Sequence, residues 1–251
     1  MSSSPLTVVA IETSSEMASC ALLCDGRVTY RESSGVRTHS QSVLPMIQEL
    51  LAEAGIALAD CDAIAFGAGP GSFTGVRTAC GIAQGLGFGA GKPLVPVVTL
   101  AAMALACREQ QGGDVDAVLP VLDARMNEVY WAQYRFDGDL PVAVLPPALS
   151  APGDVAAQGE AVACGNGFTA YPEGFAPQLA AAAHGGAMPH AAQVARLGAA
   201  ALAAGQGVPA GEAQPLYLRN KVAYTKAERA DINEAAAIAA TAAAAAAGAA
   251  A

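Results

Sequence analysis

The chain has 251 residues, of which 53% are hydrophobic, and a formal net charge of −9. That length suits one large domain or two lobes, and the apolar fraction, though swollen by alanine, can furnish a sizeable core. The 13 Lys and Arg residues are scattered singly, which excludes the basic stripe that gives a free-standing nucleic-acid binder its affinity; if RNA is involved, something else must hold it.

The elements can be read in chain order. Leu6–Ile11, Ala18–Cys24 and Arg27–Ser33 read as three strands of a meander, with Asp25-Gly26 as a two-residue hairpin turn. Val43, Leu44, Ile47, Leu50, Leu51 and Ala54 then fall at helical spacing. Thr38 or Ser40 can cap that helix and Gly55 ends it, which puts Pro45 in the first two turns or at a kink. Asp62–Phe66 reads as a short buried strand running into a glycine-rich loop. A helix over Val76–Gly89, a strand over Leu94–Val98 and a third helix from Leu100 follow. This β-β-β-α-β-α-β order is that of a ribonuclease-H-like or actin-like lobe.

In the second half, Ala117–Leu122 and Val129–Phe136 read as strands and Ala191–Ala204 as a helix. Pro141–Pro177, rich in Pro and Gly, resists parsing. Residues 233–251 are low-complexity alanine with no stripe that would dock them. Alanine is too weakly apolar, and the run too short, for a membrane span. The first ten residues lack the basic and apolar regions of a signal peptide.

Cys20, Cys24, Cys61, Cys80, Cys107 and Cys164 form no C-x-x-C and have no histidine at ligand spacing. They predict reduced, buried thiols in a cytoplasmic protein and no metal site.

Three motifs could carry chemistry. The loop Gly69-Pro-Gly71-Ser72-Phe-Thr74-Gly75-Val-Arg77 joins a strand to a helix, where backbone N–H groups favour an anion. It is neither a Walker loop nor a dinucleotide fingerprint. It either binds phosphate or uses its glycines for a tight turn and close helix packing. Asp123-Ala-Arg125 with Glu128 and Tyr130 could be an acid/base pair, but a hydrogen-bonded turn between strands is the favoured reading. His39, His184 and His190 accompany no G-x-S-x-G elbow and read as surface residues, with His39 a candidate at an interface.

The helices add a surface. Val43, Leu44, Met46, Ile47, Leu50 and Leu51 span a wide arc, and Ala79, Ile82, Ala83 and Leu86 make the next helix mostly apolar. Such a pair can cover its sheet and still leave an apolar patch for a partner, unless the second lobe covers it. At least one of Val43, Met46 and Leu50 is then expected to be exposed.

Five segments together resemble one family. They are Ile11-Glu-Thr-Ser14; Arg37-x-His39-Ser40 with Leu44-Pro45-x-Ile47; the loop Gly69–Arg77; Asp123-Ala-Arg-x-x-Glu-Val-Tyr130; and Pro215-x-Tyr-Leu-Arg219. In order and spacing, over about residues 6–226, they are similar to the TsaB (YeaZ-like) family. The resemblance implies an α/β, actin-like (ASKHA) fold of two lobes. The lobes would span residues 1–104 and 105–232, with 215–232 returning to the first lobe and 233–251 left as a tail. It implies work with the transferase TsaD and the ATPase TsaE, which place a threonylcarbamoyl group on the adenosine 3′ of the anticodon in tRNAs reading ANN codons. TsaB would then meet tRNA only through the complex and would self-associate through the same helices when alone. ATP or ADP could sit at the partner interface near Gly69–Arg77.

The departures from TsaD are informative. TsaD continues its Ile-Glu-Thr-Ser with Cys-Asp-[Asp/Glu]-Thr, where this chain has Ser15-Glu16-Met17-Ala18. Thr99 and Met103 stand where TsaD carries two metal-binding histidines. The implied chain keeps the scaffold and has no catalytic residue of its own. The rivals are an independent ASKHA ATPase or kinase and a glycoprotease-like peptidase.

Overall fold

The computed structural model describes residues 5–33, 39–181 and 183–219. The chain as far as Leu218 packs as one compact unit. The alanine tail over 233–251 and residues 220–232 lie outside the described residues.

The first sheet is built from β1 (Val8–Glu12), β2 (Ala18–Cys24), β3 (Arg27–Ser33), β4 (Ala63–Gly69) and β5 (Leu94–Val98), in the order β3-β2-β1-β4-β5. The second contains β6 (Ala117–Asp123), β7 (Val129–Asp137), β8 (Leu140–Ser150), β9 (Val162–Cys164) and β10 (Ala183–His184). Its order, β8-β7-β6-β9-β10, repeats the first strand for strand. In each sheet the first three strands pair antiparallel and the last two add parallel. The expected actin-like order thus occurs twice. The β2–β3 turn is tight because Asp25 and Gly26 both take left-handed backbone angles, as a two-residue hairpin requires.

Helices α1 (His39–Ala54) and α2 (Phe73–Ala90) cover one face of the first sheet. Pro45 is accommodated in the second turn of α1. α6 (Ala191–Ala203) covers the other face, and α3 (Thr99–Gln110) packs on the second sheet. The outer face of that sheet carries the short α4 (Gly167–Ala170) and α5 (Pro177–Ala181), with Phe168 and Phe175 in its core. Each helix follows the strand its sequence places it after, and its apolar side faces a sheet.

Three expectations need correction. Val43, Met46, Ile47, Leu50 and Leu51 of α1 are all buried in the chain's own core. They recur at i, i+3, i+4, i+7 and i+8, the stripe that a single sheet face consumes, so none of Val43, Met46 and Leu50 is exposed. α2 begins at Phe73 rather than Val76, because Ser72 caps it: the Ser72 hydroxyl accepts the Gly75 N–H at 3.4 Å. His190 is not an ordinary surface residue. It caps α6, with Nδ1 accepting the Ala192 N–H at 3.0 Å. His184 is exposed, as expected. Five of the six cysteines are buried, Cys24 is half-buried, and all six are free thiols.

Candidate functional site

The glycine-rich loop packs against the end of β1. Glu12 is completely buried there; its Oε1 accepts the Ser14 N–H at 2.6 Å, and its Oε2 accepts the Thr99 hydroxyl at 3.3 Å. Thr99 Oγ1 in turn accepts the Gly69 N–H at 3.1 Å. Burial pushes the Glu12 carboxyl above its ordinary range, and the Ser14 and Thr99 hydrogen bonds pull it partly back. Further along, the Ser72 N–H donates to the Ser14 carbonyl at 2.8 Å and the Thr13 hydroxyl donates to the Gly75 carbonyl at 2.7 Å.

These contacts explain the glycines. A Cβ on Gly67 would stand 1.9 Å from Glu12 Oε2, one on Gly71 2.6 Å from Ser14 Cβ, and one on Gly75 1.9 Å from the Thr13 carbonyl oxygen. The glycines admit the β1 end to van der Waals distance. Thr74 is exposed at the helix start.

Arg77 stacks its guanidinium 3.6 Å from the Phe73 ring centroid and 5.4 Å from that of Tyr217, and its Nε donates to the Tyr217 hydroxyl at 2.7 Å. Tyr217 arrives on the segment after α6, which is anchored where the Leu216 N–H donates to the Ala68 carbonyl at 2.7 Å.

The Asp123 motif forms the tip of the β6–β7 hairpin. Asp123 Oδ1 accepts the Arg125 N–H at 2.7 Å and the Tyr171 hydroxyl at 2.9 Å, while Oδ2 lies 3.0 Å from an Arg125 terminal nitrogen. Arg125, Met126 and Asn127 are three successive non-glycine residues at left-handed angles, φ 61, 60 and 58°. The favoured reading, a hydrogen-bonded turn, describes this tip: both Asp123 oxygens are engaged by their own neighbourhood. Glu128 is half-buried, with its N–H on the Arg125 carbonyl, and Tyr130 packs into the core of the second sheet. Arg125 also reaches Glu16 at 3.5 Å, and His39 Nε2 lies 3.2 Å from the Glu16 carbonyl oxygen. The β1–β2 turn thus touches both the second hairpin and the first residue of α1.

Thr99 and Met103 do not fit a metal. The Thr99 hydroxyl is held between Glu12 and Gly69, and Met103 is wholly buried, its methyl against Gly165. Both side chains serve the core at a spacing whose donors are wrong for a cation. Among the described residues no group of three or more His, Cys, Asp or Glu could hold a metal, and no helix is long and apolar enough to cross a membrane.

The outer surface of α2 is the unexplained feature. Ala79 and Ala83 are buried against the sheet, while Ile82 and Leu86 are half-buried at the margin. Gly81, Gly85 and Gly89 lie at i, i+4 and i+8 on the exposed side, and a Cβ on any of them would meet nothing within 4 Å among the described residues. At the C-terminal end Phe88 is 86% exposed and, with Lys92, Pro93, Val208 and Pro209, lines a groove of about 460 Å³. On neighbouring α1, Leu44 is 45% exposed. Phe73 and Tyr217 lie in motifs that the sequence displays but were given no role there, and Phe88 and the three glycines were not singled out; the four-residue glycine spacing was the visible signal.

Comparison with known proteins gives a consistent result. Residues 31–198 match the family described as "TsaD: tRNA N6-adenosine threonylcarbamoyltransferase". The tRNA threonylcarbamoyladenosine biosynthesis protein TsaB of Escherichia coli (strain K12) is 39% identical over 228 residues, 88% of this chain and 98% of that protein. Its Haemophilus influenzae namesake is 38% identical over 232 residues, 88% of this chain and 97% of that protein. The structure of YeaZ from Pseudomonas aeruginosa superposes with a TM-score of 0.78 at 40% identity, covering 85% of this chain and all of that one.

Proposed function

The chain belongs to the TsaB family, and from that premise we propose that it serves tRNA threonylcarbamoyladenosine biosynthesis as a non-catalytic partner of the transferase TsaD, with TsaE as the third component. The observation that carries the partner role is the glycine-floored face of α2. Glycine inside an exposed helix costs about 1 kcal/mol relative to alanine. Among the described residues, Gly81, Gly85 and Gly89 have no neighbour that forbids a side chain. A second backbone approaching closely supplies the missing reason, and Phe88 and Leu44 supply apolar area beside it.

The non-catalytic part rests on the core roles of Thr99 and Met103 and on the segment Ser15–Ala18. Thr99 and Met103 stand where the transferase would need metal ligands, and Ser15-Glu16-Met17-Ala18 stands where it continues Cys-Asp-[Asp/Glu]-Thr. A net charge of −9 disfavours a phosphate backbone, so tRNA is held by the complex rather than by this chain. When TsaD is absent, a second copy of this chain takes the same face.

Calorimetry with purified TsaD tests the reading. Wild-type chain binds, and Gly85→Leu, which fills the trough, weakens binding at least about 30-fold without lowering Tm. In a tRNA modification assay supplied with threonylcarbamoyl-AMP, the chain alone is silent and addition of TsaD and TsaE restores product. Turnover by the chain alone, in a preparation free of TsaD, sinks the non-catalytic reading.

A further inference from the structure

The cluster at the N-terminal end of α2 has properties that the helix contact alone does not require. Arg77 is an exposed side chain, and long exposed arginines ordinarily keep their rotamer freedom. Here the guanidinium is fixed by two rings: it lies over Phe73, and its Nε is hydrogen-bonded to the hydroxyl of Tyr217, whose ring centroid stands 5.4 Å away. The two rings are themselves in contact, with centroids 5.9 Å apart, yet remain 40% and 46% exposed. Among the described residues, neither terminal nitrogen of Arg77 has a hydrogen-bond partner. What remains available is one edge of a planar fork, held in place.

That edge has a definite chemistry. A preorganised guanidinium edge matches an oxyanion bidentately, and the entropy of fixing it is lost before binding rather than during it. Two oxyanions qualify, a carboxylate and a phosphate diester. A phosphate backbone is a polyanion whose capture needs several cations acting together, and this chain carries 13 basic against 22 acidic residues. A single arginine on such a surface suits a single carboxylate. Exposed arginine flanked by aromatic rings is also the composition of protein–protein anchor points.

Position supplies the second argument. Arg77 precedes Gly81 and Gly85 by four and eight residues, so it stands on the same helical face, about 6 Å and 12 Å further along the axis. A helix lying in the glycine trough would present a side chain to Arg77 at one end of the contact.

We propose that Arg77, held by Phe73 and Tyr217, is the anchor that takes a carboxylate side chain of the partner transferase and sets the register of the helical contact. This rests on the partner role proposed above. Tyr217 is then a positioning residue: its ring and hydroxyl orient the fork, and the segment after α6 becomes part of the recognition surface.

Calorimetry with TsaD and filter binding with tRNA test it on the full chain. Arg77→Met weakens TsaD binding about 30-fold with Tm unchanged. Arg77→Lys remains about 10-fold weak, because a point charge cannot present the fork. Arg77→Glu is worse than Arg77→Met, since two carboxylates then face each other. Tyr217→Phe, which keeps the ring and loses the hydroxyl, weakens binding about 3-fold. If wild-type chain fails to bind TsaD, the partner role itself falls. If wild type binds, Gly85→Leu does not, and Arg77→Met matches wild type, the trough stands and the anchor is overturned. Equal affinities for Arg77→Met and Arg77→Glu mean that no carboxylate stands opposite. A selective loss of tRNA affinity in Arg77→Met, with TsaD affinity intact, makes the residue a phosphate contact and also overturns the proposal.

Discussion

The Thr13 hydroxyl donates to the Gly75 carbonyl at 2.7 Å, and a Cβ on Gly75 would stand 1.9 Å from the Thr13 carbonyl oxygen. The end of β1 and the first turn of α2 are therefore in backbone contact, and a side chain at residue 75 must push them apart. Gly75→Val should lower stability by about 3 kcal/mol, a Tm drop of roughly 6–12 °C for a domain of this size. Urea unfolding of the purified variant measures it. A variant of wild-type stability with lost TsaD-dependent activity would instead give the loop a direct part in the chemistry.

The exposed glycines predict the opposite sign. Gly81→Ala, Gly85→Ala and Gly89→Ala each add a methyl to open space, so each should stabilise the isolated chain by about 0.5–1 kcal/mol through helix propensity. The same changes should weaken TsaD binding. Stability and affinity moving in opposite directions is the signature of a residue kept for a partner. Alanine variants that gain stability and bind as well as wild type would remove close backbone approach from the account.

His190 predicts a pH dependence. Burial lowers its pKa from the ordinary 6.5, against the pull of Glu32 and Glu109. Nε2 lies 2.8 Å from Glu32 Oε1, and the Tyr30 ring stands edge-on at 4.9 Å. Because Nδ1 accepts the Ala192 N–H, protonation would set two N–H groups against each other and break the cap of α6. With the folded pKa below the unfolded one, the unfolded chain binds more protons between the two values. Stability from this residue is present above 6.5 and is lost as pH falls through the folded value. His190→Asn retains a capping acceptor and cannot titrate, so its urea midpoint should vary less than wild type between about pH 5 and 7.5. Parallel curves for the two proteins would show that other groups carry the acid sensitivity.

The first sheet was legible because its signals are local. Ala18–Cys24 and Arg27–Ser33 were read to the residue, since alternation and the Asp25-Gly26 turn fix the register within one hairpin. The strand Leu140–Ser150 was not, because Pro141, Pro146 and Pro147 argue against a strand. It forms at the sheet edge, where a missing N–H leaves no ladder position empty. The cap at Ser72 was hidden inside a glycine run that read as loop. The glycines of α2 show most clearly what sequence cannot supply: Gly87 is required by Leu94, whose side chain a Cβ would meet at 2.6 Å, while Gly85 has open space. Both look alike until the fold places a neighbour beside one of them. Arg77 was singled out for its place in the loop motif, but its aromatic partner Tyr217 is 140 residues away, and no spacing rule connects them.

Two adjacent residues of α1 separate the core from the proposed contact surface. Val43 is fully buried among Cys20, Met46 and Ile47 of the first core, and Leu44 beside it is 45% exposed. Val43→Glu places a carboxylate among apolar side chains with no cation at hand, which should cost at least about 4 kcal/mol and unfold much of the protein. Loss of TsaD binding in that variant would then report unfolding and say nothing of the interface. Leu44→Glu leaves the core intact, so its stability should stay within about 0.5 kcal/mol of wild type. If α1 joins α2 in the contact, the same charge is desolvated on binding, and affinity for TsaD should fall about 30-fold or more. Urea unfolding and calorimetry on both variants give the comparison. Leu44→Glu at wild-type affinity, beside a defective Gly85→Leu, confines the contact to α2. A stable Val43→Glu would mean that α1 does not present this face to the sheet.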